Sequence, residues 1–202
     1  MSFNTLKKIL VLCHSVHGNT LAMAREIARG VEQVDQACAV LRSVAPITSA
    51  IDPTPVELPD SGPALVQSAD VNDCSGLILG SPTRFGNMAS SVKYFLDGTG
   101  GQWASGALIG KPAGVFTSTA TLHGGQEATL LTMMVPLIHH GMIIAGLPYS
   151  EKALTRTQSG GTPYGPSHLA GSDADRGLDS DEIELCQALG ARIASLAVRL
   201  DT

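Results

Sequence analysis

The chain alternates short apolar runs with amphipathic segments, a pattern typical of an α/β protein. The runs that predict strands lie at residues 9–12, 37–44, 76–80, 113–118 and 142–145. The segments with one apolar face at helical spacing, which predict helices, lie at residues 24–33, 64–71, 88–96, 126–141 and 183–200. Most of the strand segments are apolar at nearly every position, which favours parallel strands buried on both faces of a sheet. The pattern therefore predicts an open, doubly wound sheet.

Two segments lack this periodicity. Residues 46–63 contain five prolines, which predict an irregular surface excursion. Residues 146–178 are rich in Gly, Ser and Pro and far exceed the usual strand-to-helix connection of roughly 2–6 residues. We interpret the second segment as a long loop inserted before the last helix, either functional or disordered. Asp179 and Glu182 then predict a capping box at the start of that helix.

The first polar loop, Ser15-Val16-His17-Gly18-Asn19-Thr20, follows a buried strand and precedes a helix. Backbone N–H groups at a helix N-terminus attract anions, so the loop predicts a phosphate cradle. Neither G-x-G-x-x-G nor G-x-x-x-x-G-K-[ST] fits this chain. The loop instead resembles the flavodoxin S-x-T-G-N-T loop, which wraps the terminal phosphate of FMN. The alternative is an ordinary polar turn.

Two further polar loops follow the predicted strands at residues 81–87 and 118–125. Loops at the carboxyl ends of strands flanking a reversal of strand order form the ligand crevice of an open α/β sheet. In the first of them, Thr83 and Asn87 offer hydrogen bonds to a flavin ring and Phe85 an apolar wall. Arg84 offsets negative charge in this interpretation, and is a solvated loop residue in the alternative.

Trp103, the only tryptophan, follows the Gly-rich stretch at residues 98–101 and lies outside any periodic pattern. This position favours stacking on a planar ligand over packing in the core.

Length, composition and charge exclude several classes. The 202 residues, 44% of them hydrophobic, suit a single domain spanning the chain, with a sizeable core. A net charge of −5 and no basic run longer than Lys7-Lys8 argue against nucleic-acid binding. No apolar segment is long enough to cross a membrane and the start lacks secretory features, so we expect a cytoplasmic protein. Four scattered cysteines indicate buried reduced thiols, and no metal site is expected.

Several longer segments make a family resemblance specific. They are residues 81–88 (SPTRFGNM), 100–108 (GGQWASGAL), 124–127 (GGQE), 139–142 (HHGM) and 160–165 (GGTPYG). Nearly end to end, the chain resembles the WrbA family of flavodoxin-like NAD(P)H:quinone oxidoreductases. The resemblance implies a five-stranded parallel sheet in order 2-1-3-4-5 that binds FMN. It also implies NAD(P)H as co-substrate, quinones as acceptors, and a homotetramer whose neighbouring subunits help shape each active site.

The resemblance also implies roles by position. Trp103 matches a substrate-stacking tryptophan and His139 a histidine that reaches the flavin, so these two are the predicted catalytic residues. The predicted FMN-binding residues are Ser15, His17, Gly18, Asn19, Thr20, Pro82, Thr83, Arg84, Phe85, Gly86, Asn87, Ser118, Thr119, Ala120, Thr121, Gly124, Gly125 and His139. His140 is expected to be a structural partner.

Two departures from the family pattern concern the cofactor loops. His17 stands where the family commonly has Tyr, and could favour NADPH or merely be solvated. The third loop reads Thr121-Leu122-His123 where many members are glycine-rich and one residue shorter.

The functional hypothesis is two-electron transfer from NAD(P)H to quinones by a ping-pong mechanism. One alternative is a flavodoxin-like carrier that passes single electrons to a protein partner. The other is a structural or regulatory flavin-binding protein with slow turnover.

Overall fold

The computed structural model describes residues 6–47 and 62–200. Within them, the strands are β1 (Lys7–Cys13), β2 (Ala37–Ser43), β3 (Gly76–Arg84), β4 (Asn87–Met88), β5 (Pro112–Thr119), β6 (Ile143–Ile144) and β7 (Ser167–Leu169). The helices are α1 (Asn19–Val31), α2 (Ser68–Asp73), α3 (Ser90–Asp97), α4 (Gly100–Ser105), α5 (Gln126–His139), α6 (Ala153–Arg156) and α7 (Ser180–Leu200). No helix in these ranges is long and apolar enough to span a membrane.

The sheet follows the order β2-β1-β3-β5-β6, and every pair along this path is parallel. The short strand β4 lies off the path and pairs antiparallel with β3. Without β4, the order of the main strands is 2-1-3-4-5, so the predicted flavodoxin-like α/β sheet is confirmed.

Both faces of the sheet are covered, which explains the continuous apolar runs. Ile9 and Val11 of β1 belong to a core shared with α1 and α7. The alternate residues Leu10 and Leu12 belong to a second core, shared with α2, α3 and α5. Because successive side chains of a strand point to opposite faces, a strand buried on both sides needs apolar residues throughout.

Two short strands share the edge beyond β5. β6 pairs with the start of β5 through Pro112 and Ala113. β7 pairs with its end, where Thr117 lies opposite Ser167. The prediction of one uninterrupted loop at residues 146–178 is therefore wrong, since this segment contributes α6 and a strand. Three residues of β7 are too few to give a periodic signal in the sequence.

The prediction of a helix at residues 64–71 is wrong at its start. Ala64 and Leu65 are extended and pair with Ser43, whose N–H donates to the Ala64 carbonyl at 3.0 Å. Helix α2 begins only at Ser68, after a capping box formed by Gln67 and Asp70. The Ala64 carbonyl and the Val66 N–H are hydrogen-bonded to Ser43 at the end of β2, so the Ala64 carbonyl is not available for the hydrogen bonds of a helix that begins at Ala64.

The predicted capping box of the last helix is confirmed. Asp179 Oδ1 accepts from the Glu182 N–H at 3.0 Å, and Glu182 Oε2 accepts from the Asp179 N–H at 3.1 Å. Of the predicted proline-rich excursion at 46–63, residues 48–61 lie outside the described residues.

Candidate functional site

The three predicted loops lie at one edge of the sheet, because they follow the adjacent parallel strands β1, β3 and β5. The second and third loops pack against each other. A Cβ added to Gly125 in the third loop would come within 3.0 Å of Gly86 Cα in the second. Burial lowers the pKa of His14 at the end of β1; a backbone hydrogen bond with Val44 opposes this shift, and the nearby Arg84 charge adds to it.

The first loop has the geometry of an anion cradle. Gly18 precedes α1 with φ +88° and no side-chain cap, and a Cβ there would have no neighbour within 4 Å. The first N–H groups of a helix have no acceptor within the helix. The Ser15 hydroxyl accepts from the Leu21 N–H at 3.3 Å and retains its own proton for a ligand. Open space beside these donors fits a monophosphate.

The second predicted loop is a hairpin in the structure. β3 continues to Arg84 and turns back into β4, with Thr83 opposite Met88 and Arg84 opposite Asn87. Phe85 and Gly86 form the turn with φ of 53° and 75°, as two-residue hairpins with a type I′ turn require. Since Met88 belongs to this hairpin, the helix predicted to include it begins at Ser90.

Phe85 is fully exposed at the tip of the hairpin. A positive φ is costly for a bulky residue, and such backbone strain clusters at binding sites. The hairpin is held by its neighbours, since Thr83 Oγ1 lies 2.7 Å from Thr129 Oγ1 of α5. Arg84 Nη1 donates to the Thr83 carbonyl at 2.8 Å. The turn therefore exposes the Phe85 ring to solvent, while the hairpin below it is hydrogen-bonded to α5.

The third loop leads into α5. Thr119 Oγ1 donates to the Thr121 carbonyl at 2.9 Å, and the Gly124 N–H donates to the same oxygen at 3.1 Å. Gly125 caps α5 with φ +95°. The loop thus places the N-terminus of α5 beside the carboxyl ends of the strands.

A cleft of about 1550 Å³ adjoins the first two loops. Its walls include Ser15, Arg84, Asn87, Trp103 and His139. The structure therefore brings both predicted catalytic residues to a cavity shared with predicted cofactor-binding residues. The third loop does not line this cleft, and His17 is exposed at the rim of the cradle.

Trp103 lies on the short helix α4, where the sequence predicts only a Gly-rich bridge. The helix buries none of its residues, so it has no apolar periodicity to detect. Trp103 is 58% exposed, and its Nε1–H donates to the His139 carbonyl at 3.2 Å. This bond fixes one edge of the indole and leaves the ring accessible.

His140 is buried beside the cleft and anchors α4. Its Nε2–H donates to Thr99 Oγ1 at 2.9 Å, because the Thr99 hydroxyl itself donates to the Leu96 carbonyl at 2.6 Å. Burial lowers the pKa of His140, and the neighbouring His139 lowers it further. The hydrogen bond with Thr99 ties His140 to the residue before α4, and its structural role stays a prediction.

Sequence reasoning missed a turn at residues 170–176 that reaches two of the loops. The Ala174 carbonyl accepts from Asn19 Nδ2 at 2.9 Å, and the Ala170 N–H donates to the Thr119 carbonyl at 2.8 Å. The only available signal was the length of the segment that contains it.

Comparison with known proteins identifies the family. The profile of the family described as NADPH-dependent FMN reductase matches residues 7–153. The chain belongs to this family.

Curated relatives of similar length match almost the whole chain. It is 40% identical over 199 residues to a protein of Solidesulfovibrio magneticus named NAD(P)H dehydrogenase (quinone), covering 95% of this chain and 98% of the relative. A protein of Geobacter sulfurreducens with the same name is also 40% identical, over 96% and 98% of the two chains. The resemblance to flavodoxin-like quinone oxidoreductases is thereby confirmed.

Solved structures confirm the fold. The WrbA-like flavodoxin protein from Agrobacterium tumefaciens superposes with a TM-score of 0.68 at 24% identity, covering 96% of this chain and 98% of that one. An archaeal flavodoxin superposes with a TM-score of 0.62 at 18% identity, covering 96% and 99%.

Proposed function

We propose that the protein is an FMN-dependent NAD(P)H:quinone oxidoreductase that transfers two electrons by a ping-pong mechanism. One observation carries the proposal. Trp103 and His139 line the same cleft as Ser15 and Arg84, which belong to the first two loops. The curated relatives, named NAD(P)H dehydrogenase (quinone), support the same activity.

The cradle and the hairpin are the parts of the chain that would hold FMN. In the cradle, the Ser15 hydroxyl and the N–H groups at the start of α1 would bind the phosphate. The hairpin would hold the ring, with Phe85 as an apolar wall and Arg84 offsetting negative charge. Bound FMN supplies hydride acceptance from NAD(P)H and electron return to a quinone. The protein itself needs no nucleophile.

The remaining residues of the cleft would receive the substrates. Trp103 offers a flat, exposed indole anchored at its N–H edge, which suits stacking on a nicotinamide or a quinone. His139 offers a hydrogen-bond donor beside it. Both substrates are planar and would stack on the same indole, so one must leave before the other binds.

Steady-state kinetics test the activity and its mechanism together. NADH oxidation measured at several benzoquinone concentrations is expected to give parallel double-reciprocal lines, with quinone competitive against NADH. Intersecting lines would exclude the ping-pong mechanism. Turnover too slow to measure, with transfer of single electrons to a protein acceptor, would favour the carrier instead.

We also propose that the protein forms a homotetramer. Helix α5 exposes Leu131, Val135 and Ile138, which share one face at helical spacing. Val135 and His139, one turn apart, both line the cleft, so this apolar face continues into the candidate site. A second copy packed there would bury the face and close the open side of the cleft, as the family resemblance implies.

Replacing Val135 with Glu is expected to lower the oligomeric state, because a buried unpaired carboxylate is unfavourable in an interface. Light scattering with FMN present checks the mass at micromolar concentration. Leu6→Glu is the matched control, since Leu6 is an exposed apolar residue before β1. A monomeric wild type, or a tetramer unchanged by Val135→Glu, would contradict the proposed interface.

The cysteines support a cytoplasmic location, which we propose as well. All four are free, and Cys13, Cys74 and Cys186 are buried, whereas Cys38 is half-buried. Burial raises the pKa of Cys13 to about 12 and that of Cys74 to about 11, so both stay as unreactive thiols. Unpaired thiols are typical of a reducing compartment.

A further inference from the structure

A buried histidine–glutamate pair lies outside the site described above. His168 of β7 and Glu182 of α7 are both fully buried, and His168 Nδ1 lies 2.8 Å from Glu182 Oε2. The other ring nitrogen, Nε2, lies 3.0 Å from the Arg176 carbonyl oxygen. Burying charged groups is costly unless each is fully hydrogen-bonded, so the remaining partners matter.

Several hydrogen bonds hold the Glu182 carboxylate in place. Besides His168, the Glu182 carboxylate accepts from the N–H groups of Gly160 at 3.1 Å, Leu169 at 3.0 Å and Asp179 at 3.1 Å. Burial acts to raise the pKa of Glu182, but the bonds from His168, Leu169 and Asp179 outweigh it and hold the pKa below its ordinary value. With a Glu182 carboxylate oxygen at Nδ1 and the Arg176 carbonyl oxygen at Nε2, both ring nitrogens of His168 are within hydrogen-bond distance of an oxygen.

His168 holds one end of the turn at residues 170–176, here called the bracing turn. Inside it, the Arg176 N–H donates to the Ala170 carbonyl at 3.1 Å and the Ala174 N–H donates to the Gly171 carbonyl at 3.2 Å. The Arg176 guanidinium donates outward, to the Leu169 carbonyl at 3.2 Å and to Asp179 Oδ2 at 2.8 Å. The buried pair thus holds the turn from the protein interior, through the contact of His168 with the Arg176 carbonyl, while most of the turn lies at the surface.

The other side of the bracing turn touches the cradle. The Ala174 carbonyl accepts one of the two amide hydrogens of Asn19, the first residue of α1, at 2.9 Å. The second amide hydrogen remains available for a ligand oxygen. A defined chain of contacts therefore runs from Glu182 through His168, Arg176 and Ala174 to Asn19.

We propose that His168 and Glu182 are positioning residues for the phosphate cradle, because they hold the bracing turn where its Ala174 carbonyl orients Asn19. This inference rests on the proposed function, in which the cradle binds the FMN phosphate. It assigns a role in cofactor binding to the segment inserted between β6 and α7.

Binding of FMN and riboflavin to the apoprotein tests the proposal, since riboflavin lacks the phosphate. His168→Asn keeps a donor at about the position of Nδ1, toward Glu182, and loses the bond to Arg176. We expect its dissociation constant for FMN to rise about three- to tenfold, the range for one hydrogen bond, and that for riboflavin to stay within about twofold. His168→Gln, which reaches about as far as Nε2, is expected to recover most of the FMN affinity.

A double-mutant cycle tests the path of the effect. Asn19→Ala alone is expected to weaken FMN to a similar degree, and adding His168→Asn is expected to change the affinity no further. Arg156→Gln is the matched control. Arg156 forms ion pairs with Asp181 and Glu184 in the first turns of α7, and its side chain has no hydrogen bond with the bracing turn. FMN and riboflavin should each bind Arg156→Gln with the same dissociation constant as the wild-type protein.

The outcomes separate this inference from the proposed function. Wild-type protein that binds FMN no better than riboflavin would overturn the phosphate cradle and this inference with it. Wild type that prefers FMN, with the preference unchanged in His168→Asn, would overturn the positioning role alone. An equal loss of both ligands would also overturn it. If circular dichroism shows that His168→Asn does not fold, Arg176→Gln carries the same expectation, because Arg176 is half-exposed and holds the same turn.

Discussion

Gly18→Val is expected to weaken FMN binding about a hundredfold. Gly18 has φ +88° at the start of α1, a conformation that β-branched residues strongly disfavour. Forcing such a residue into it costs about 1–3 kcal/mol. Where the free loop relaxes to escape this cost, FMN binding must restore the conformation, and each 1.4 kcal/mol is about tenfold in affinity. The new side chain would also occupy the open space in which the phosphate is proposed to bind. Titration of the apoprotein with FMN measures the effect.

Gly110→Val is the matched control for this experiment. Gly110 has φ +76° and equally open space at its Cβ position, but lies before β5, at the opposite edge of the sheet. Both variants should lose a similar amount of thermal stability, while only Gly18→Val loses FMN affinity. Equal FMN affinity in the two variants would remove the phosphate-cradle assignment.

His139→Ala is expected to lower turnover by about ten- to a hundredfold, the loss typical of one positioned donor or acid. FMN should stay bound, because the cradle and the hairpin do not depend on this side chain. Trp103 should also stay in place, since its indole donates to the backbone carbonyl of residue 139. Steady-state turnover with saturating NADH and benzoquinone, measured beside the flavin content, checks both expectations.

His139→Gln separates the role of the donor from that of the imidazole. Gln retains an N–H donor of similar reach, so activity between wild type and His139→Ala is expected if the side chain acts by donating a hydrogen bond. Loss of FMN from His139→Ala would instead make His139 a structural ligand. Full activity of the His139→Ala variant would show that His139 has no role in catalysis.

The main strands and helices were predictable because each has a local signature. β1 and β3 are apolar at consecutive positions, since both faces of the sheet are covered by helices. The first polar loop was predictable for a similar reason, because a polar, Gly-containing stretch between a strand and a helix favours a turn. That this loop binds a phosphate stays a prediction. The resemblance of several segments to the WrbA family then supplied the strand order, which the periodicity of apolar residues alone leaves open.

Tertiary structure decided the elements that are short or depend on distant partners. The hairpin at Phe85 exists because β3 continues past the edge of the sheet and is braced by Thr129 of α5. Helix α4 buries none of its residues, and His140, far along the chain, anchors its start through Thr99.

The bracing turn is the clearest case of a feature that sequence alone left undetermined. Residues 170–176 have no periodicity, and their shape depends on His168, Glu182 and Asn19, which come together only when the sheet and α7 are assembled. Local sequence patterns were sufficient to predict the sheet, most of its helices and the position of the first polar loop. The way in which the inserted segment reaches that loop depends on the folded arrangement, because a hydrogen bond between residues 155 positions apart leaves no local pattern.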